Sequence, residues 1–427
     1  MSYDTGDEQY FIKNSGLRKL ERLTDYKDPN RFNDRDEHLR PLFDEIQAHK
    51  ASDVYIQEGK PIGVLVNGNM YGVTWRILEK SETQWLLNEI AGKTALSSIS
   101  SQISINTTFG LFDKDKDKKN LIGHRVQNTY RVNVVGIMHQ GVPAFQIVMR
   151  SIPSDPYIFY QIGLKESFVK RCCPPKGIVL VAGVTGSGKS TTLSSCIRYI
   201  LENNTPIKGN IITHEEPIEF TYDNIVSHHS IVVQSQIPES FKSFSAANRE
   251  AMRRKPAAIL VGELRDRETI TSAVEASLTG HPVFATVHSS AITEIIPRLI
   301  AQYPTEEKEN SLFDIISTSV MLIAQRLVRK TDGKLMAVQE YLYLTDKIRS
   351  MLLKISSPID INKKIHELMK RGSFDENSPI SPTFARQGER LYEQGIIGEE
   401  GLMFLKSESL EEDDFEDEIS LEKETNH

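Results

Sequence analysis

The chain has 427 residues, which at about 150 residues per domain suggests roughly three domains. Hydrophobic residues make up 39% and charged residues 26% of the sequence, a balance typical of a globular protein. The sequence contains no uninterrupted run of about 18 apolar residues, so we expect no membrane span. The formal net charge is −7, but residues 408–427 alone carry −9, so the remainder is nearly neutral and its charge neither supports nor excludes nucleic acid as a partner.

The first forty residues are polar and highly charged, and we expect residues 1–40 to form a partly ordered leader. Their acidic start lacks the basic and apolar segments of a secretory signal peptide. A first domain of α+β type is predicted over residues 41–153. It begins with a helix and a strand in LFDEIQAHKASDVYIQ, followed by a hairpin in PIGVLVNGNMYGV that turns at Asn67 and Gly68.

Three further features complete the predicted first domain. SETQWLLNEIAG predicts a helix whose capping box starts at Ser81. The charged stretch LFDKDKDKKNLIG at 111–123 predicts an exposed loop. YRVNVVGIMHQGVPAFQIVMRSIP predicts two strands that turn near Gly141.

Two prolines, Pro153 and Pro156, mark a predicted linker over residues 154–172. Strands and helices then alternate, which predicts an α/β domain with a mostly parallel sheet over residues 173–340. Its strands are predicted at 178–182, 210–214, 258–262 and 283–287.

The C-terminal part is predicted to be helical. From about Pro297 the pattern is mainly helical, with a helical C-terminal region at 341–406. An acidic tail at 407–427 has the composition of a disordered segment, although such a tail is also suited to a basic partner.

The three cysteines, Cys172, Cys173 and Cys196, are too few for a disulfide framework and lack the spacing of a CxxC metal site. We expect them to be free thiols.

The sequence GVTGSGKSTT matches the phosphate-loop pattern G-x-x-x-x-G-K-[ST] and lies between a predicted strand and a predicted helix. Glycines let backbone N–H groups approach phosphate oxygens, and the helix N-terminus adds partial positive charge. The lysine of the motif reaches the β- and γ-phosphates of ATP, and the serine hydroxyl that follows it is a ligand for Mg²⁺. The candidate nucleotide-binding residues are Gly183, Val184, Thr185, Gly186, Ser187, Gly188, Lys189, Ser190, Thr191 and Thr192.

Acidic residues end two other predicted strands. IITHEEPIEF ends in Glu215 and Glu216, and AILVGELRD reaches Glu263 after Gly262. Carboxyl ends of parallel strands meet at one edge of a sheet, so these acids are expected beside the phosphate loop. Carboxylates there polarise an attacking water or hold a metal, and the candidate metal ligands are Ser190, Glu215 and Glu263. The alternative is that acids are simply favoured at solvated strand ends.

Two histidines, His281 and His288, flank the predicted strand in TGHPVFATVHSS. Their separation does not suit a helical zinc pair. Each is either a polar residue at a strand end or a residue that senses phosphate or contacts another subunit.

Together these motifs resemble the secretion ATPases of the PilT/GspE-like superfamily. GVTGSGKSTT resembles their Walker A motif, ITHEEPIEF their acidic box, ILVGELRD their atypical Walker B motif and TGHPVFATVHSSA their histidine box. IAQRLV at 323–328 resembles a further segment of the family. ASDVYIQEGKPIGVLVNG and YRVNVVGIMHQGVPAFQIVMR resemble strands of its PAS-like N-terminal domain. The boxes occur in the family's order over residues 45–350.

The resemblance implies an α/β fold: a RecA-like P-loop ATPase domain preceded by a PAS-like α+β domain, with a helical C-terminal region. It also implies a homohexameric ring in which lobe motions are coupled to ATP hydrolysis. Glu263 would be the catalytic acid, Glu215 and Glu216 would support Mg²⁺ and water, and His281 and His288 would couple the site to the subunit interface. Arginines of the first domain would approach the phosphates, and the matching positions are Arg125, Arg131 and Arg150.

The basic segment RRKPAA before the Walker B strand, the charged leader and the acidic tail resemble the family's DotB/TraJ subgroup, which serves type IVB secretion and conjugative plasmid transfer. Glu216 stands where aspartate is usual in the family. The pilus-motor segment Ala-Ile-Arg-Asn-Leu is matched only in part, by KIRSMLL from Lys347. The expected protein is a cytoplasmic ATPase without an integral membrane segment. It would be peripherally associated with an inner-membrane secretion or conjugation complex and would handle protein or nucleoprotein cargo indirectly.

Three alternatives stay open at this point. The first is a type IV pilus retraction motor. The second is a nucleic-acid translocase, since the basic run Arg253, Arg254 and Lys255 is predicted near the ATP site. The third is a small-molecule kinase that shares only the phosphate loop, although the sequence shows no acceptor pocket or lid.

Overall fold

The computed structural model describes residues 21–112, 127–152 and 155–407. The chain divides into two compact units. The first comprises Met1–Ser154 with Glu219–Asn224, and the second comprises Asp155–Ile218 with Ile225–His427. Residues 1–20 of the predicted leader, most of the predicted charged loop and the acidic tail from residue 408 lie outside the described residues.

The first unit contains a mixed sheet whose described strands lie in the order β1-β4-β3-β2-β7-β6-β5. All neighbouring strands are antiparallel except β1 and β4. The strands are β1 (Glu21–Arg22), β2 (Asp53–Gln57), β3 (Gly63–Val66), β4 (Asn69–Gly72), β5 (Ile105–Phe112), β6 (Gln127–His139) and β7 (Val142–Ile152). The helices are α1 (Arg40–Ala48), which follows a π-helical turn at Arg35–Leu39, α2 (Lys80–Ala91) and α3 (Ala95–Ser100).

Apolar periodicity explains why these elements pack together. Helix α1 buries Leu42, Phe43 and Ile46, which share one face at helical spacing. Strand β7 buries alternate residues, among them Ile147 and Met149. The predicted α+β pattern is therefore present, and the hairpin β6–β7 turns at Gly141 as expected.

The capping prediction at Ser81 is wrong by two residues. Helix α2 begins after Glu79, and the backbone N–H of Glu79 donates to Glu82 Oε2 at 2.9 Å. Glu82 also receives a bidentate pair of hydrogen bonds from Arg76. The reciprocal acid at the third helical position is therefore Glu82, and the capping residue is a glutamate instead of the predicted serine.

The second unit contains a larger sheet whose described strands lie in the order β10-β9-β11-β12-β8-β13-β14. Every neighbouring pair is parallel except β13 and β14, which are antiparallel. The strands are β8 (Gly177–Ala182), β9 (Gly209–Glu215), β10 (Ser230–Gln236), β11 (Pro256–Val261), β12 (Pro282–Val287), β13 (Ser319–Arg329) and β14 (Leu335–Tyr343).

Helices connect and cover these strands. They are α4 (Glu166–Arg171), α5 (Lys189–Glu202), α6 (Phe244–Ala251), α7 (Arg267–Leu278), α8 (Ile295–Ile300), α9 (Lys308–Thr318), α10 (Asp346–Leu352), α11 (Pro358–Lys370), α12 (Phe384–Glu393) and α13 (Glu399–Lys406). Short 3-10 turns lie at Phe159–Ile162, Met252–Arg254, Ile292–Glu294 and Thr305–Glu307. The central strands β8 and β12 are buried along their whole length, as expected for parallel strands covered on both faces.

The four strands predicted for this unit are present, but three more were missed: β10, β13 and β14. The prediction of a mainly helical pattern from Pro297 is therefore wrong for residues 319–343. Strand β13 reads SVMLIAQRLVR, and periodicity alone does not distinguish such an apolar run from a buried helix. The region after β14 is helical, as predicted.

All three cysteines are buried free thiols, as expected. Within the described residues, every helix is too short or too polar to cross a membrane.

Candidate nucleotide-binding site

The carboxyl ends of four parallel strands form the edge of the sheet that carries the predicted motifs. Along this edge the strands lie in the order β9, β11, β12, β8. Neighbouring strands are about 4.8 Å apart. Strand β11 is two spacings, or about 10 Å, from β8, and β9 is three spacings, or about 14 Å, from β8. The phosphate loop follows β8, and the acids follow β9 and β11.

Two glycines of the phosphate loop have a backbone conformation that other residues rarely adopt. Gly186 and Gly188 have φ of +81° and +85°, a region that favours glycine. A Cβ on Gly183 would collide with Ser187 Oγ and with the backbone oxygen of Gln325. The chain therefore closes into a tight loop before helix α5 begins at Lys189.

Two polar groups of this loop are buried in a way that suits an anion. Lys189 is 8% exposed, and its Nζ donates to the carbonyl oxygens of Gly183 and Val184 at 2.8 and 3.0 Å. Ser187 Oγ is buried and has no hydrogen-bond partner among the described residues. A buried hydroxyl without a partner is costly, so the loop offers a donor suited to a phosphate oxygen.

The remaining loop residues differ in exposure. Val184 and Thr185 are exposed, whereas Ser190 and Thr191 are half-buried in the first turn of α5. Thr192 is buried, and its hydroxyl donates to Gln325 Oε1 at 2.6 Å. The predicted binding residues thus form one continuous loop and helix start.

Glu263 extends beyond the end of β11. The backbone N–H of Gly262 donates to the His214 oxygen at 2.7 Å, and Thr286 Oγ1 donates to the Gly262 oxygen. These bonds tie Gly262 to the strands on either side, β9 and β12. A Cβ at Gly262 would press on the His214 oxygen and on the Phe244 ring, so glycine lets the chain turn Glu263 out at the edge.

His288 follows β12 and lies beside Glu263. Its Nε2 is 3.5 Å from Glu263 Oε1, a separation that forms an ion pair when the imidazole is protonated. His281 precedes β12, and its Nδ1 lies 3.2 Å from the Ala276 oxygen at the end of α7. The two histidines therefore lie at opposite ends of strand β12, and of the two only His288 lies close to the acids.

Glu215 and Glu216 have different partners. Glu215 Oε1 accepts from Thr213 Oγ1 at 2.6 Å and from Gln234 Nε2 at 3.1 Å. Glu216 Oε2 pairs with Arg265 Nη1 at 3.0 Å. Arg265 comes from the segment just after Glu263, so the acidic box and the Walker B segment are joined by this ion pair.

The arginines of the first unit form a cross-strand pair. Arg131 on β6 lies directly opposite Arg150 on β7, so both side chains project from the same face of the sheet. Arg150 Nε donates to Asp53 Oδ1 at 2.9 Å. Arg131 is exposed, as is the side chain of Arg150. Arg125 lies outside the described residues.

The basic run Arg253, Arg254 and Lys255 is not near the phosphate loop within the second unit, which corrects that expectation. It lies directly before β11, at the amino ends of the parallel strands. The phosphate loop follows the carboxyl end of β8. The two features are therefore separated by the length of a strand, about 20 Å for six residues.

Sequence reasoning assigned no role to two residues that shape this edge. Gln325 was quoted only as part of a resembling segment, yet it contacts the phosphate loop. Arg265 was part of the quoted Walker B strand, and its pairing with Glu216 depends on tertiary structure. For Gln325, the signal that the sequence offered was a polar residue directly after an apolar run.

A metal at this site would have few protein ligands. Among the described residues no cluster of three or more His, Cys, Asp or Glu side chains is arranged to hold an ion. Mg²⁺ suits such a site, because it is commonly held by one or two protein ligands together with phosphate oxygens and water. Ser190 and Glu263 fit this pattern; Glu215 is farther along the edge and already accepts two hydrogen bonds.

The family model of type II/IV secretion system proteins matches residues 36–350. The X-ray structure of the ATPase DotB from Yersinia pseudotuberculosis has 41% sequence identity and a TM-score of 0.75, covering 92% of this chain and 100% of its own. The crystal structure of the pilus retraction motor PilT with bound ADP has 28% identity and a TM-score of 0.70, with 85% and 95% covered. The type IV pilus retraction ATPase PilT of Pseudomonas aeruginosa is 32% identical over 308 residues, which is 71% of this chain and 81% of that protein.

Proposed function

Because this chain belongs to the family of type II/IV secretion system proteins, we propose that it is an ATP-hydrolysing motor for a type IVB-like secretion or conjugative DNA-transfer system. The observation that carries the proposal is the arrangement at one sheet edge. A phosphate loop with a buried lysine lies at one end, together with a serine hydroxyl that has no partner in the described part of the chain. Glu263 beside His288 lies two strands away.

ATP is the proposed substrate. Backbone N–H groups of the loop and the N-terminus of α5 would bind its phosphates, and Lys189 would exchange its two loop carbonyls for β- and γ-phosphate oxygens. Support comes from PilT, whose crystal structure contains ADP. Ser190 would hold Mg²⁺, with Glu263 and Glu215 as further candidate ligands at the same edge, and the ion would neutralise charge on the phosphates.

Glu263 is proposed to orient the attacking water and to accept its proton. It extends from a rigid strand end, where Gly262 is tied to both neighbouring strands, so its position is fixed before the substrate binds. His288 would hold the carboxylate from one side. Glu215 and Glu216 would order water along the same edge, since each is itself oriented by fixed partners.

Arginines would supply the remaining positive charge. Arg131 and Arg150 lie side by side on one face of the first unit. We propose that this pair approaches the phosphates in a homohexameric ring, in which hydrolysis changes the relation between the two units. Arginine suits this role because its charge is permanent and its donors are bidentate.

The proposed setting is the cytoplasmic face of an inner-membrane machine, with protein or nucleoprotein cargo handled indirectly. The match to DotB over the full length of that chain, at 41% identity, favours a type IVB-like system. The PilT matches at 28% and 32% identity keep pilus retraction as the second candidate. A nucleic-acid translocase is less well supported, since the basic run lies at the opposite edge of the sheet from the phosphate loop.

The first experiment measures phosphate release by the purified full chain with ATP and Mg²⁺. Wild-type protein is expected to hydrolyse ATP, Lys189→Ala to lose binding and turnover, and the exposed-lysine control Lys208→Ala to keep both. Mass measurement in solution tests the hexamer. A chain that binds no nucleotide contradicts the proposal.

The second experiment identifies the machine. The gene for the chain is deleted in its source organism, and secretion, DNA transfer and pilus retraction are measured. Loss of retraction alone contradicts the secretion or DNA-transfer motor and supports the pilus retraction motor. Affinity purification from membranes then shows which complex retains the protein.

A further inference from the structure

A buried glutamine of β13 spans the interior between that strand and the phosphate loop. Gln325 is 1% exposed. Its Nε2 donates to the Ser187 backbone oxygen at 2.7 Å, and its Oε1 accepts from Thr192 Oγ1 at 2.6 Å. The first distance lies in the usual range of an N–H···O bond and the second in that of an O–H···O bond, and both bonds are buried.

The two partners of this amide bracket the reactive part of the loop. Ser187 lies in the loop and Thr192 lies in the first turns of α5. Between them stand Lys189 and Ser190, the residues that the proposed function assigns to phosphate and metal. One side chain therefore fixes both ends of the segment whose geometry matters most.

The loop also packs tightly against the amide. A Cβ on Gly188 would come within 3.0 Å of Gln325 Nε2, and a Cβ on Gly183 would collide with the Gln325 backbone oxygen. Two of the motif glycines thus leave room for Gln325. Because these glycines have no side chain, both Gln325 and a phosphate group can approach the loop backbone.

The orientation of the amide is fixed from a third direction. Gln339 lies opposite Gln325 on β14, and its Nε2 donates to Gln325 Oε1 at 3.2 Å. The Ser187 oxygen can only accept, so it requires the NH₂ end of the amide. The oxygen end then accepts from both Thr192 and Gln339, and reversing the amide would break the bond to Ser187, because two oxygen atoms would face each other.

We propose that Gln325 is a positioning residue for nucleotide binding: it holds the phosphate loop in its binding conformation before the nucleotide arrives. The inference rests on the proposed function, since it assumes that the loop binds phosphate. Gln325 acts through Ser187 and Thr192 and is not itself a ligand. A Gly-rich loop loses much conformational entropy when it becomes ordered. Because Gln325 already orders the loop in the folded chain, this entropy is lost during folding and does not weaken nucleotide binding.

The expected effect is therefore on affinity more than on chemistry. Gln325→Met keeps the length of the side chain and removes both its donor and its acceptor. We expect the Kd for a fluorescent ADP and the KM for ATP to rise about tenfold, the range of two lost hydrogen bonds, because ground state and transition state are affected alike. The kcat is expected to change by less than about threefold.

The experiment uses the full chain and a matched control. Asn248 is a second buried amide, on α6, and it donates to Ser272 Oγ at 2.9 Å. Asn248→Leu removes a buried polar contact of similar burial elsewhere in the unit. A fluorescent-ADP titration, ATP turnover and hydrogen exchange over residues 183–192 are measured for wild type, Gln325→Met and Asn248→Leu.

Faster exchange in the loop and a raised Kd in Gln325→Met, with both near wild type in Asn248→Leu, support the proposal. A native Kd in folded Gln325→Met, or equal losses in both variants, overturns it. If Gln325→Met does not fold, Gln339→Met removes only the third bond and is expected to raise Kd about threefold; an unchanged Kd there overturns the proposal.

The same measurements separate this inference from the proposed function. A wild-type chain that binds the ADP analogue but hydrolyses no ATP contradicts the motor proposal, while the comparison of Kd values still decides the role of Gln325. A wild-type chain that binds no nucleotide overturns both.

Discussion

His288 Nε2 lies 3.5 Å from Glu263 Oε1 at the carboxyl edge of the parallel sheet. The two residues come from neighbouring strands, β12 and β11, and each follows the last strand residue closely. Glu263 is therefore positioned by the sheet and contacted by an imidazole ring at the end of the neighbouring strand. This pair is the part of the site at which substitutions should affect hydrolysis and binding differently.

Replacing Glu263 by glutamine should abolish hydrolysis and leave nucleotide binding intact. The amide keeps the shape of the side chain but does not accept a proton from water, and loss of a general base lowers turnover by about 100-fold to 10,000-fold. Turnover and fluorescent-ADP affinity are measured together. Glu275→Gln, an exposed acid on α7, is the control and should be native in both. Near-native turnover of Glu263→Gln would exclude the proposed role.

The two histidines should give different defects. His288→Asn removes the group beside Glu263 and is expected to lower kcat about tenfold, as is usual for a residue that orients a catalytic group. His281 lies at the opposite end of β12, away from Glu263. If it contacts another subunit, His281→Asn should weaken assembly, and activity should then depend more strongly on protein concentration. Steady-state kinetics over a range of protein concentrations checks both. An equal loss of kcat in the two variants would contradict this division.

Arg131 is the sharper test of the proposed arginine pair. Arg150 is also bonded to the buried Asp53, so its substitution mixes a stability effect with any kinetic one. Arg131→Lys keeps the positive charge and loses the bidentate donors, and we expect kcat to fall at least about 100-fold if the guanidinium contacts the phosphates. Arg31→Lys, at an exposed position of the same unit, is the control. Turnover within threefold of wild type in Arg131→Lys would exclude the contact.

Much of this architecture was predictable from the sequence. The family and the α/β fold class predicted for the chain are confirmed by the family model and by the matches to DotB and PilT. Strand β8 and the loop after it could be placed because a short apolar run, a glycine-rich turn and a helical pattern follow one another there. Strand β12 could be placed because five of its six residues are apolar, with Thr286 as the exception.

The misses have physical causes. Strand β13 was predicted to be part of a helical region because its apolar run at 320–324 suits either structure, and the sequence does not show its pairing with β14. The role of Gln325 could not be inferred because its partners Ser187 and Thr192 are more than 130 residues away in sequence. The basic run at Arg253 was misplaced although it precedes the Walker B strand: residues before a parallel strand lie at its amino end, and the phosphate loop lies at the carboxyl ends.

Burial of His214 should make the second unit lose stability in mild acid. His214 is fully buried in β9, and burial, followed by the charge of Arg254, lowers its pKa from 6.5 to about 4. Above pH 6.5 neither the folded nor the unfolded chain protonates this residue. Between pH 6.5 and pH 4 the unfolded chain binds a proton that the folded chain does not bind, so stability falls as the pH falls. The loss from this residue should be about 2 kcal/mol between pH 7 and pH 5.

Urea unfolding at pH 7, 6 and 5 measures this loss. Both tryptophans, Trp75 and Trp85, belong to the first unit, so unfolding of the second unit is followed by far-UV circular dichroism. Other groups also titrate in this range, and the informative quantity is therefore the difference between variants. His214→Leu should flatten the pH dependence by about 2 kcal/mol, whereas His228→Asn, at an exposed position, should not. An identical slope in wild type and His214→Leu would show that His214 is already protonated in the folded chain or that its burial is relieved.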